Sequence, residues 1–262
     1  MARTSSSTGL SRTHLGWAAL MLGVGGLTVY ATAPRVARPA LANVAAVASD
    51  DDTDDLLPPE GSADYETRRL ALADAQESLA ARHESGEPVL DLAQEALSDH
   101  LGPMIESWVG TPYGFFGMSD EPGAGSIACG FFVSTVLQHA GFDVRRIELG
   151  RQPSEHIVQT LVSEEHIERF DHAHPHTVVR SAVEQGAGIY LVGLDTHTGF
   201  LVHDARSVRF CHATSRSAKA VVCEPARESR SLRSDYTVMG KLGDEAAMAA
   251  WLEGRTLATV RD

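Results

Sequence analysis

The chain of 262 residues has few cysteines, an excess of acid over base and none of the familiar short metal-binding motifs. Three cysteines occur without a CxxC pair, and no HExxH motif is present. Basic residues number 22 against 35 acidic ones, a net charge of −13, which argues against nucleic acid and anionic membrane surfaces as partners. No internal repeat is visible, and a hydrophobic content of 43% is ordinary for a globular protein.

Acidic residues are absent from the first 42 positions. Arg3 and Arg12 precede an uncharged apolar stretch at residues 15–33, and residues 40–42 (Ala-Leu-Ala) offer a small-x-small cleavage site. This order is typical of exported proteins. We therefore expect residues 1–42 to be a signal peptide or membrane anchor, and the protein to be periplasmic, in the cell envelope or secreted. Only this segment would contact a membrane.

Large apolar residues are scarce at positions 43–64, where aspartates crowd between Asp50 and Asp55. This composition predicts a solvated, disordered linker. Residues 65–88 follow as a helical N-terminal extension, because residues 65–83 are rich in Ala, Leu, Glu and Arg and lack Gly and Pro. We assign the remainder, residues 89–262, to one further domain.

Two further helices are expected before residue 141. Residues 89–108 predict a helix with a break or kink at Gly102-Pro103. Residues 110–125 are rich in glycine, which predicts a loop. Residues 129–140 then place apolar side chains on one face of a helix that Gly141 ends.

The second half of the chain changes to short β-branched and aromatic stretches separated by polar turns. Such stretches predict an antiparallel meander of about five strands, followed by a helix at residues 245–253. Helices followed by antiparallel strands indicate an α+β fold. The predicted strands are residues 188–194, 198–202, 208–214, 220–223 and 236–242.

Cys129 follows a glycine-rich loop and opens the helix predicted at residues 129–140. A thiol is nucleophilic as the thiolate, and the free N–H groups and dipole of a helix N-terminus lower the pKa of a thiol. The same N–H groups can bind the oxyanion of an acyl intermediate. Cys129 is therefore the candidate nucleophile. Cys211 and Cys223 lie in two predicted strands and could form a disulfide; the alternative is three buried free thiols.

A thiol nucleophile needs a base, and two of the twelve histidines are suitably placed. His197 opens a predicted strand beside a glycine, and His212 lies in the next strand. A hairpin turn near Ala205-Arg206 would bring His212 opposite or diagonal to His197, where it could orient the imidazole. Asp195 is a substitute for this third role. Two ordinary strand histidines are the alternative on spacing alone.

Together these residues resemble the NlpC-type papain-like cysteine peptidases. The similarity lies in GTPYGFFG, the cysteine that opens a helix, HTGFLV and FCHATS, and it covers roughly residues 89–242. The resemblance implies a papain-like fold, with the nucleophile helix packed on an antiparallel sheet, and no metal or cofactor. It also implies four site residues: Cys129 as nucleophile, His197 as base, His212 as the third, polar member and Tyr113 as a hydroxyl near the oxyanion.

The chain departs from the family pattern around the nucleophile. Ala128 replaces the usual aspartate, and Gly130-Phe131 replaces Ser-Gly. The loop between Tyr113 and Cys129 is longer than usual. None of these changes removes a catalytic group, so the resemblance still implies hydrolysis of an amide, with a peptide such as the peptidoglycan stem peptide as substrate.

Two other functions remain open. The stretch from His172 to His176 holds three histidines and could serve a metal-dependent hydrolase, although Pro175 and its polar neighbours favour a solvated loop. A papain-like fold could also bind peptide or cell wall without catalysis. Selective alkylation of Cys129 at mildly acidic pH is expected of a catalytic thiolate and not of an ordinary thiol.

Overall fold

The structure, a computed structural model, describes residues 62–216 and 218–260. The predicted signal peptide or anchor lies outside these residues, as does nearly all of the predicted acidic linker. The first described helix begins at Ser62, inside the predicted linker. Among the described helices, none combines the length and apolar character needed to cross a membrane.

The described residues form an α+β fold, as predicted, with seven helices and a six-stranded antiparallel sheet. Each of the seven helices packs against the sheet or against another helix. A short 3-10 turn at Glu164–His166 precedes the first strand. The helices are α1 (Ser62–Glu84), α2 (Leu90–Glu106), α3 (Cys129–His139), α4 (Arg146–Leu149), α5 (Ser154–Leu161), α6 (Pro175–Gln185) and α7 (Glu245–Leu252).

The sheet has the strand order β1-β6-β2-β3-β4-β5, and every neighbouring pair is antiparallel. The meander prediction is right for β2 to β5 and wrong for β6, which returns to the far side of β2. The sequence also predicted one strand too few, because β1 was missed. The strands are β1 (Ile167–Asp171), β2 (Gly188–Leu194), β3 (Thr198–His203), β4 (Val208–Ala213), β5 (Val221–Pro225) and β6 (Tyr236–Lys241).

Helix α1, which contains most of the predicted N-terminal extension, packs against α2 and α7. Tyr65, Leu72 and Leu79 are buried, and their seven-residue spacing places them along one stripe of the helix. The stripe joins the same apolar core as the helices that follow. None of the residues of α1 or α2 lines the cavity described below.

Helix α2 runs without interruption through Gly102 and Pro103, so of the predicted break or kink, the break is wrong. Proline removes one backbone donor from a helix interior. Here Leu101, Met104 and Ile105 on either side are fully buried. Their burial stabilises the continuous helix by more than the missing hydrogen bond costs.

Helix α3 confirms the predicted helix at residues 129–140. Its apolar residues, among them Phe132, Val133 and Val136, are fully buried, and it packs on β3 and β4. Gly141 follows the helix with a φ of 90°, a conformation that favours glycine and ends the helix.

The opposite face of the sheet is covered by α6, which the sequence did not predict. Val178, Val179 and Ala182 of α6 are buried against β2 and β3. The prediction of a solvated loop at residues 172–176 is wrong for the last residues of that stretch. His174 caps α6, and Pro175 is the first residue of the helix. Proline suits that position, since the N–H it lacks has no partner within a helix there.

A disulfide joins Cys211 and Cys223, as the sequence allowed. The two residues are directly paired across β4 and β5. Cys129 is the free cysteine among the described residues.

Candidate active site

Cys129 is the first residue of α3 and lines a cavity of about 750 Å³. No side chain caps the helix at Ala128, so the first N–H groups of α3 point towards the cavity end of the helix. Gly130 permits a close approach by another segment, because a Cβ there would overlap the carbonyl oxygen of Gly150. The loop at Gly150 thereby forms the wall of the cavity next to the nucleophile.

Burial raises the pKa of the Cys129 thiol above its ordinary value. Backbone N–H groups of Thr198, Gly130 and Cys129 itself lower the pKa of this thiol, but their effect is the smaller one. The expectation that the helix N-terminus would depress the pKa of Cys129 is therefore wrong for the net direction of the shift. Alkylation at mildly acidic pH is accordingly expected to be slow, and it does not identify a catalytic thiol here.

His197 and His212 are brought together as the hairpin prediction required. Phe200 pairs with Cys211, which places Gly199 opposite His212 and makes His212 diagonal to His197. A Cβ at Gly199 would lie 2.8 Å from the Cβ of His212, so glycine is needed for this approach. A hydrogen bond of 2.7 Å joins Nε2 of His197 to Nδ1 of His212.

Both imidazoles are neutral at physiological pH. Burial, with smaller contributions from the nearby His212 and Arg216, lowers the pKa of His197 to about 3. Burial likewise lowers the pKa of His212 to about 4, again with a contribution from Arg216. Together with the raised thiol pKa, these values describe a site whose nucleophile and base are both uncharged before substrate binds.

Glu224 of β5 extends the chain of polar contacts and was missed by the sequence analysis. Its Oε1 lies 3.4 Å from Nε2 of His212. Phe210 stacks on the His212 ring with centroids 4.4 Å apart, and His212 is only 1% exposed. The register of the two strands could have revealed it, because Glu224 is two residues from the position opposite His212 and so lies on the same face of the sheet.

The tautomers of the two histidines follow from these partners. The carboxylate of Glu224 can only accept, so neutral His212 carries its proton on Nε2 and offers the lone pair of Nδ1. That lone pair accepts the Nε2–H of His197. His197 then has a lone pair on Nδ1, which is what a general base requires.

Tyr113 also lines the cavity, and its hydroxyl is electrostatically coupled to Cys129. Burial is the main cause of the raised pKa of Tyr113, and the Cys129 thiol adds to it. The loop that follows carries Phe115 and Phe116 to the rim of the cavity, where they are 74% and 87% exposed. Tyr113 therefore shares the cavity with Cys129 and His197, while His212 is buried behind His197.

Asp195 does not take the third position in this arrangement. Its carboxylate accepts hydrogen bonds from the hydroxyl of Ser234 and from the backbone N–H groups of Asp235 and Tyr236. The hydrogen bond from Ser234 is the main reason why the pKa of Asp195 is lowered. Asp195 thus anchors the segment before β6 to the end of β2, and His212 occupies the position beside His197.

The histidine-rich stretch lies elsewhere and is spread out. His172 pairs with Asp235 at 3.1 Å, while His174 and His176 stack with ring centroids 4.9 Å apart. Within residues 62–216 and 218–260, no three His, Cys, Asp or Glu side chains are grouped so as to hold a metal ion. This stretch offers no ready centre for a metal-dependent reaction.

The arrangement as a whole can support nucleophilic chemistry, since a thiol and a base with a free lone pair line one cavity and a buried partner orients the base. Comparisons of the chain with models of protein families, with curated proteins and with solved structures find no match.

Proposed function

We propose that this protein is a cysteine hydrolase that cleaves an amide bond, with Cys129 as nucleophile and His197 as base. The observation that carries the proposal is the 2.7 Å hydrogen bond to the buried His212 from His197, which lines the same cavity as Cys129. A pair of ordinary strand histidines would not need a glycine opposite to approach so closely. The polar chain that ends at Glu224 fixes the tautomer that a base needs.

Acylation begins from the neutral pair. Nδ1 of His197 takes the proton of Cys129 as the sulfur attacks the amide carbon. The resulting oxyanion is held by the backbone N–H of Cys129 and the hydroxyl of Tyr113. His197 then gives the proton to the leaving amine, which breaks the C–N bond and leaves a thioester on Cys129.

Deacylation uses the same groups, with water in the place of the amine. Water takes the place of the departed amine, and His197 removes one of its protons as the oxygen attacks the thioester. Collapse of the tetrahedral intermediate releases a carboxylic acid and restores the thiol of Cys129. His212 keeps the His197 ring in place through both steps.

The proposal extends the resemblance to the NlpC-type peptidases. An α-helix that opens with the nucleophile and packs on an antiparallel sheet next to the histidines is in keeping with a papain-like fold. By that resemblance the substrate is a peptide, in the first instance the stem peptide of peptidoglycan. Export by the segment at residues 1–42 would bring the protein to that substrate.

A matched set of full-length proteins tests the proposal. The wild type, Cys129→Ala and His197→Gln are incubated with purified peptidoglycan and muropeptides, and the products are read by mass spectrometry. We expect cleavage by the wild type alone. His176→Gln is the control for histidine loss, because His176 is exposed and distant from the cavity lining.

Three results would each contradict a part of the proposal. Cleavage that persists in Cys129→Ala would remove Cys129 as the nucleophile. Failure of the wild type on cell-wall material, and on a library of fluorogenic peptide amides, would favour a non-catalytic binding module on the same fold. Cleavage of the library alone would keep the hydrolase and discard the cell-wall substrate.

A further inference from the structure

The cavity around Cys129 carries an excess of positive charge on a strongly acidic protein. Its lining contains three arginines and a single acidic residue, Asp195. The chain as a whole has a net charge of −13. A concave surface lined by one sign of charge concentrates its field and attracts ligands of the opposite sign. The three arginines are Arg151, Arg216 and Arg233.

These arginines differ from most of the others in the described residues, because they have no ion pair there. The other arginines mostly contact carboxylates at 2.6 to 3.9 Å. Arg151, Arg216 and Arg233 are exposed towards the cavity, yet no described carboxylate reaches them. The arginines that do pair with Asp or Glu are Arg68, Arg69, Arg82, Arg145, Arg169, Arg180, Arg209 and Arg255.

The one carboxylate in the lining does not neutralise this charge, because it is already used by hydrogen bonds. Asp195 accepts from the Ser234 hydroxyl and from two backbone N–H groups. Ser234 follows Arg233 directly, so the same contacts hold the Arg233 segment at the edge of the cavity. Asp195 therefore positions an arginine without pairing with it.

Each arginine lies close in sequence to a residue of the proposed catalytic site or its walls. Arg151 follows Gly150, which contacts Gly130 beside the nucleophile. Arg216 lies in the loop shortly after His212. Its positive charge lowers the pKa of both His197 and His212. An anionic group held by Arg216 would therefore lie within electrostatic reach of His197, the proposed base.

We propose that the cavity selects substrates that carry an anionic oxygen group, a carboxylate or a phosphate, close to the scissile amide, and that Arg216 and Arg233 bind this group. Guanidinium groups suit both ligands, because they donate paired hydrogen bonds to two oxygens at once. The inference rests on the proposed function, whose substrate class it names.

Binding of an anion at Arg216 also changes the proton chemistry of the site. The Arg216 charge is one reason why the pKa values of His197 and His212 are low. An anion that neutralises this charge raises both pKa values, so His197 becomes a stronger base when substrate is bound. The correct substrate thereby strengthens the base that deprotonates Cys129, and neutral amides lose this assistance.

The test compares iodoacetate with iodoacetamide as alkylating reagents for Cys129 in the full chain. The two reagents place the same carbon on the same sulfur and differ in one carboxylate. At pH 9, we expect the ratio of the iodoacetate rate to the iodoacetamide rate to fall about tenfold in an Arg216→Gln, Arg233→Gln double variant, the effect of losing a charge-assisted hydrogen bond. Arg227→Gln, an exposed arginine of the same segment outside the lining, leaves the ratio unchanged.

Protection experiments separate the two anions. Glutarate and inorganic phosphate are each added before iodoacetamide, and the more protective one identifies a carboxylate or a phosphate as the preferred group. An unchanged rate ratio in the double variant, or no protection by either anion, would overturn the proposal. Alkylation needs only the thiol, so this result is independent of hydrolysis and is not affected if the hydrolase proposal fails.

Discussion

At the level of single residues, burial rather than the helix N-terminus decides the charge state of the site. The sequence correctly indicated which residues come together, because Cys129 and His197 line one cavity and His212 is hydrogen-bonded to His197. It gave the wrong direction for the pKa of Cys129. Three backbone N–H groups favour the thiolate, but loss of hydration opposes it more strongly. That balance depends on how deeply the sulfur is buried in the folded chain. A local sequence motif does not indicate this depth.

Gly130 is a residue whose replacement should have a specific structural cost. Any Cβ there would overlap the Gly150 carbonyl oxygen, which is backbone and cannot rotate away. Gly130→Ser should lower the free energy of unfolding by about 1–3 kcal/mol, as expected for overpacking, and displace the segment that carries Arg151. Urea unfolding of the full chain measures the change.

Gly102→Ala is the matched control for that substitution. Its Cβ would meet Ile189 at 3.8 Å, an ordinary contact, inside a helix. It should leave stability unchanged or raise it by up to about 1 kcal/mol, because alanine has the higher helix propensity. A Gly130→Ser protein that unfolds at the wild-type urea concentration would show that the Gly150 segment moves freely.

At the level of elements, the sequence predicted the helices and strands whose buried residues recur at a regular helical or strand spacing. Strands β2 to β5 and helices α1, α3 and α7 were all expected near their observed positions. Strand β1 was missed because it is an edge strand with Glu168, Arg169 and Asp171 among its five residues. Its place is decided by pairing with β6, a partner more than sixty residues away, and not by its own composition.

The β4–β5 pair is the element on which the polar chain of the site depends. His212 follows Cys211, and Glu224 follows Cys223, so the disulfide fixes the register of the two strands that carry these side chains. The bond closes a loop with a sequence separation of 12 residues. Loop closure of this size contributes about 3 kcal/mol to stability in the chain-entropy description.

We therefore expect the Cys211→Ala, Cys223→Ala double variant to lose about 3 kcal/mol in the free energy of unfolding. Reduction of the wild type with dithiothreitol should give a loss of similar size. Cys129→Ala serves as the control, since it removes a thiol without touching the disulfide. Equal unfolding midpoints for the oxidised and reduced wild type would contradict the expected contribution.

At the level of the whole molecule, buried neutral imidazoles make stability depend on pH. The pKa values of His139, His197 and His212 are all lowered, mainly by burial. Below pH 6.5 these histidines become protonated in the unfolded chain, whereas their lowered pKa values keep them neutral in the folded chain. Stability therefore falls as the pH is lowered from about 6.5 to 5, by up to roughly 1.4 kcal/mol per pH unit for each histidine.

Urea unfolding at pH 8, 7, 6 and 5 measures this dependence. The lowered carboxylate pKa values, such as that of Asp195, act only at more acidic pH, so this window isolates the histidines. His212→Asn should reduce the slope by about one third, since it removes one of three such groups. A free energy of unfolding that is constant between pH 7 and pH 5 would contradict the burial of neutral imidazoles.

The position of β6 has a consequence for how the protein is made. Although β6 is the last strand in sequence, it lies inside the sheet, between β1 and β2. The walls of the cavity extend along the chain to Ser234, just before that strand. A ribosome must therefore synthesise the chain through β6 before the sheet can close and Asp195 can anchor its loop. We expect chains that stop before β6 to be inactive, so that the proposed hydrolase would acquire activity only after this strand has been made.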